Sequence, residues 1–151
     1  MIQRKQTLFL FQLVFLGIAM LFISSNTVIS ATSTTEVYLT PLHNPELTST
    51  TAHLAAISIN FAALILAFIT IFLYKSREVQ IRLCYALMAL WLVLSLLIAF
   101  CPFVVKTGAV SEIQTHYFGC IIGFFAILAA GFAARFIKKD IELLKSADRI
   151  R

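Results

Sequence analysis

Three histidines, His43, His53 and His116, and two glutamates, Glu46 and Glu112, fall in or beside the polar stretches between long apolar segments. Imidazole and carboxylate together can hold a transition metal. Their spacing matches no metal motif, so they read as ordinary interface residues and no metal is expected. The cysteines, Cys84, Cys101 and Cys120, are odd in number, with no close pair and no CxxC. That is neither a zinc pattern nor a disulfide scaffold. Cys101 and Cys120 lie a few residues inside the same end of two neighbouring segments. Free thiols are expected, with a disulfide between the segments as the alternative. There is no Ser/His/Asp set, glycine-rich phosphate loop or paired carboxylate within the apolar segments. The chain therefore reads as non-enzymatic, with no catalytic, cofactor-binding or metal residues and no cofactor.

The elements that would carry these residues follow from composition. Of 151 residues, 60% are hydrophobic and 13% charged. A soluble domain carries about a quarter charged residues, and a short chain has too little interior to bury so much apolar surface in water. Four apolar segments cover about residues 7–29, 52–74, 83–105 and 117–137. About 20 helical residues cross a ~30 Å hydrocarbon core. The last three reach that length; the first does so if residues 26–29 lie at the outer interface. β-barrel spans would be alternating segments of ~10 residues, and these runs are continuous. The expected fold is an all-α membrane protein: one domain, 1–151, built as an antiparallel bundle of four transmembrane helices, with an outer loop at 30–51 and a tail at 138–151. Val37–Thr40 suits a short extended stretch, ended by Pro41. Arg4 and Lys5 before an apolar run, then Ile29-Ser30-Ala31, also resemble a secretory signal. The run is long for one, and the reading favours a retained helix.

Charge sets the orientation. Arg4, Lys5, Lys75, Arg77, Arg82 and the six basic residues from Arg135 onward fall on one side of four spans, and Lys106 alone on the other. The positive-inside rule places both termini in the cytoplasm. Eleven basic against four acidic residues give the inner side +7; one against three gives the outer side −2, which together make the net +5. These cations read as topology signals and contacts to anionic lipid, not as a nucleic-acid face.

No Asp, Glu, Lys or Arg lies mid-span, which disfavours an ionisable relay. Gln12 and Asn60 are the polar amides at depth. By helical rise they differ in depth, Gln12 roughly 8 Å and Asn60 about 18 Å from the inner boundary. Each is expected to bond a backbone carbonyl or another span. The last segment carries a stripe of Gly119, Gly123, Ala126, Ala130 and Ala134, with Gly119 and Gly123 as a GxxxG; the second offers Ala52, Ala56, Asn60, Ala63 and Ala67. These suggest a packing seam between spans two and four, with dimerisation through GxxxG as the alternative. Pro102 falls in the last turn of span three, a place for a kink. Ile137, Ile141, Leu144, Ala147 and Ile150 recur at helical spacing opposite lysines and acids, predicting a C-terminal cytoplasmic amphipathic helix.

The first residues, Met1-Ile2-Gln3-Arg4-Lys5-Gln6-Thr7, and the last, Leu144-Lys145-Ser146-Ala147-Asp148-Arg149-Ile150-Arg151, resemble those of an uncharacterised Bacteroidetes domain-of-unknown-function family of four-span membrane proteins of this length. Its members usually have a hydrophobic residue where Lys5 stands and often an arginine where Lys145 stands. The resemblance implies a bacterial inner-membrane location with cytoplasmic termini, and no activity. Gln3-Arg4 and Ser146–Arg149 share one face in this arrangement, which suggests an Arg4–Asp148 pair. The expected function is a structural, scaffold or accessory membrane protein, with a small transporter or permease component acting as an oligomer as the alternative. Expected partners are membrane lipids and a second copy or another membrane protein.

Overall fold

The computed structural model describes residues 3–30, 34–39, 51–73, 76–100 and 110–148. Among them are four helices, α1 (Gln3–Phe22), α2 (Thr51–Phe72), α3 (Arg77–Phe100) and α4 (Phe118–Asp148), and three strands, β1 (Ser24–Ser30), β2 (Thr34–Tyr38) and β3 (Val110–Thr115). By length and composition α2, α3 and α4 are long and apolar enough to cross a membrane; α1 contributes a shorter apolar stretch, Gln6–Phe22.

Every helix buries the same kind of stripe. On α2 it is His53, Ala56, Asn60, Ala63, Ala67 and Thr70; on α3 it is Gln80, Cys84, Leu87, Trp91, Leu94 and Ile98. On α1 it is Gln6, Leu10, Leu13, Gly17 and Met20, and on α4 Gly119, Gly123, Ala126, Ala130, Ala133 and Ile137. The steps alternate between three and four residues, a heptad spacing that keeps one narrow seam facing inward along the whole helix. The opposite faces are more apolar than the seam. Phe11, Phe15, Phe61, Phe68, Phe72 and Phe124 all point outward, with many Leu and Ile. In water such a girdle is an aggregation surface; in lipid it is the solvated face. On α2 and most of α4 small and polar residues lie inside with large apolar ones outside, which helix packing in a bilayer favours, while α1 and α3 fill the interior with Leu, Ile and Trp91.

Each helix touches two neighbours, α1 with α2 and α4, and α3 with α2 and α4. Along α3 and α4 residue numbers rise on one as they fall on the other. An added side chain at Gly119 would meet Ile98, one at Gly123 would meet Ser95, and one at Gly131 would come near Met88. The expected seam between spans two and four is therefore corrected: the α4 glycines pack on α3 and α1. α2 packs on α1 and α3 and so sits diagonally across from α4.

The strands form one sheet in the order β2-β1-β3, antiparallel throughout. Val28 of the central strand lies opposite Thr35 on one side and Ile113 on the other. This sheet adds a β element to the expected all-helical chain. It also shortens the first segment, expected to run to Ile29: the helix stops at Phe22. The cause is local. Ser24, Asn26 and Thr27 compete for backbone hydrogen bonds, and Thr27-Val28-Ile29 is β-branched. At the opposite end α4 continues without interruption through the expected 138–151 tail as far as Asp148. Pro102 lies outside the described residues.

Candidate functional site

Polar side chains clasp each of the four helix–helix interfaces, with two such contacts between α3 and α4. Gln6 Nε2 donates to the Phe136 carbonyl across α1 and α4 (3.3 Å). Asn60 Nδ2 donates to the Gly17 carbonyl across α2 and α1 (3.2 Å). Gln80 Nε2 donates to the Thr70 carbonyl across α3 and α2 (3.1 Å). Between α3 and α4, Arg77 pairs with Asp140, and the Cys120 thiol donates to the Ser95 carbonyl (3.6 Å). The three amides use the same chemistry: an NH₂ group reaches a helix carbonyl that has a second lone pair to offer. Apolar surroundings make each bond worth keeping, because the alternative is an unsatisfied amide.

Sequence reasoning located Asn60 correctly and missed Gln6 and Gln80, which sit near segment ends where a polar residue draws no notice. Their heptad register with Leu10 and Cys84 was the available signal. Gln12 is corrected. Its side chain lies on the exposed face of α1, between Phe11 and the buried Leu13, not at an interface. α1 is apolar on both faces, so periodicity gave no way to orient it.

Asn60 keeps one further feature. Its Oδ1 is buried and bonds no group among the described residues, and the same is true of Trp91 Nε1. The Gln80–Thr70 bond fixes the register of α2 against α3. Asn60 precedes Thr70 by about 15 Å of helix and Trp91 follows Gln80 by about 16 Å. The unpaired acceptor and the unpaired donor thus occupy one layer of the interior, at the level where Gly17 and Gly123 thin the walls.

At the sheet end the histidines serve the cap. His53 is wholly buried, and its Nε2–H donates to the Tyr38 carbonyl (3.2 Å). His116 Nε2 and the Thr27 hydroxyl are hydrogen-bonded at 2.6 Å, tying β1 to the start of α4. Leu39, next to Tyr38, is buried as well. Among the described residues no three His, Cys, Asp or Glu side chains gather as a metal would require. Glu112 lies in β3 opposite Ile29; His43, Glu46 and Cys101 lie outside the described residues. Cys84 and Cys120 are free thiols. The side chains of Arg4 and Asp148, expected to pair, also lie outside the described set.

The GxxxG stripe is internal. A Cβ on Gly123 would clash with Ser95 Oγ, and one on Gly119 would come within 2.8 Å of Met20 Cε. Both glycines are buried, so the stripe is spent on contacts inside the chain and is not open to a second copy.

No curated protein and no solved structure matches the chain. Residues 2–150 match the model of a family described as a domain of unknown function, DUF4293, and with nearly the whole chain covered this protein belongs to that family.

Proposed function

We propose that this chain is a non-catalytic protein of the bacterial inner membrane, an antiparallel bundle of four spans with both termini in the cytoplasm. In this reading it acts as a structural or accessory subunit for another membrane protein. The observation that carries it is how the polar groups are spent. The three interior amides clasp one helix to the next, and the described ion pair joins α3 to α4. Chemistry needs polar groups aimed at a substrate; these amides are aimed at backbone and the two charges at each other. The sheet faces the periplasm, and the basic end of α4 lies at the inner leaflet, in keeping with the charge asymmetry.

Isolation from membranes in mild detergent, after cross-linking in intact cells, tests the role. A stoichiometric membrane protein partner is the expected result. A chain that stays alone at native abundance, with or without cross-linker, overturns the accessory role.

A second reading, a small transporter component working as an oligomer, is favoured by the unpaired Asn60 Oδ1 and Trp91 Nε1. Asn60→Cys in a background without Cys84, Cys101 and Cys120 separates the two. Labelling by a membrane-impermeant thiol reagent favours a water-filled path; protection favours the packed scaffold.

A further inference from the structure

A groove of about 480 Å³ opens on the outward side of the α3–α4 interface. Its walls are Met88, Leu128 and Gly131, and at one end stand Tyr85, Arg135 and Lys138. Gly131 makes the space: an added Cβ there would have Met88 Cε as its nearest neighbour at 3.8 Å, so the backbone of α4 is bare on this side. The contrast with Gly123, whose missing Cβ is filled by Ser95, shows that Gly131 is not needed for the helices to meet.

The two ends of the groove differ in chemistry. Arg135 and Lys138 are one helical turn apart, both exposed, and neither pairs with a carboxylate among the described residues. Two cations at i and i+3 face the same way, and Tyr85 of the neighbouring helix lines the same groove. Leu128 lies seven residues from Arg135, about 10 Å farther along the axis. The groove therefore begins at a cationic mouth and runs along an apolar floor for most of the ~15 Å depth of one leaflet.

The geometry points to a binding site for an anionic phospholipid of the inner leaflet, with its phosphate on Arg135 and Lys138 and an acyl chain laid over Gly131. This rests on the membrane reading above, which puts the Arg135 end of α4 at the cytoplasmic headgroup level. Charge selects the headgroup, and the missing side chain at Gly131 selects a chain over bare phosphate. A basic pocket between helices on the cytoplasmic side is a lipid-recognition pattern with a physical cause.

The test is lipid binding to the purified full-length chain in neutral detergent, by native mass spectrometry with thermal unfolding in parallel. Phosphatidylglycerol, phosphatidylcholine and glycerol phosphate are the three probes. Phosphatidylglycerol should bind and raise the melting temperature, phosphatidylcholine should bind far more weakly, and glycerol phosphate should not bind. Arg135→Gln with Lys138→Gln should weaken phosphatidylglycerol binding about thirtyfold, the effect of two surface cations on anionic lipid. Lys139→Gln with Lys145→Gln, which removes the same charge outside the groove, should leave it within a few-fold. Gly131→Leu should weaken it with all charges kept. Equal binding of the two phospholipids, or equal losses in the two charge-neutralised variants, overturns the site. Both exposed-face double variants leave the seam intact, so a misfolded Gly131→Leu does not spoil the test. Release of the chain from membranes by alkaline carbonate would instead defeat the membrane reading itself.

Discussion

Asn60 gives its Nδ2 to Gly17 and keeps its Oδ1 in the interior, without a partner among the described residues. The two halves of one amide therefore pull in opposite senses. Interhelical hydrogen bonds in membrane proteins average about 0.6 kcal/mol, and an unsatisfied buried acceptor costs a comparable or larger amount. Asn60→Ala should accordingly lower stability by no more than about 1 kcal/mol, read as a small fall in the unfolding midpoint in detergent. A loss several times larger would mean that Oδ1 has a partner in the folded protein, such as a water shared with Trp91 Nε1. The glycines separate more sharply. Gly123→Ala should cost about 1–3 kcal/mol, since its Cβ would fall on Ser95 Oγ. Gly131→Ala should be nearly neutral. Adding Ser95→Ala to Gly123→Ala should restore much of the loss, because the hydroxyl is the nearest obstacle. Thermal unfolding of the four variants checks the order.

At the scale of elements, Arg77–Asp140 joins the start of α3 to the late part of α4, with side chains 23% and 13% exposed. Removing one partner of a buried pair costs about 3–5 kcal/mol; partial exposure places this one lower. Asp140→Asn should destabilise by about 1–2 kcal/mol, while Arg77→Asp with Asp140→Arg should recover most of it in unfolding experiments. The pair was not legible in the sequence, where Asp140 reads as one acid in a basic tail. Its role depends on α4 continuing straight past Ile137. The sheet was illegible for a different reason. Val37-Tyr38 could be read as extended, but β1 pairs with β3 across more than eighty residues, and no local pattern encodes that pairing. The helices themselves were legible because hydropathy and length decide them, and so was the small-residue stripe on α4. Which neighbour the stripe meets was not, since that depends on the order of the helices around the bundle.

For the molecule as a whole, α1 is part of the interior. Leu10, Leu13 and Met20 are buried in the common core, and the Gly17 carbonyl receives Asn60. Cleavage after Ala31 would remove all of these together with β1, the strand that holds β2 and β3. The intact mass of the protein from cells should therefore include residues 1–31; a mature chain starting after Ala31 would contradict this architecture. Reporter fusions offer a second check at this scale. A tag at the C-terminus should be active only where cytoplasmic reporters are active, and one inserted at about residue 45 only where exported reporters are.

The sheet also bears on how the chain is assembled. β1 and β2 are neighbours in sequence and can pair as soon as both emerge, but the third strand arrives only after α2 and α3 have been made. β3 can reach the free edge of β1 only after α2 and α3 have packed so that the chain returns to the end of the bundle where β1 lies. Closure of the sheet is thus conditional on correct threading. A chain that stalls or inverts at the hairpin is left with an unpaired strand edge, the kind of feature to which other extended chains add. The cap is in this sense a latch that closes late.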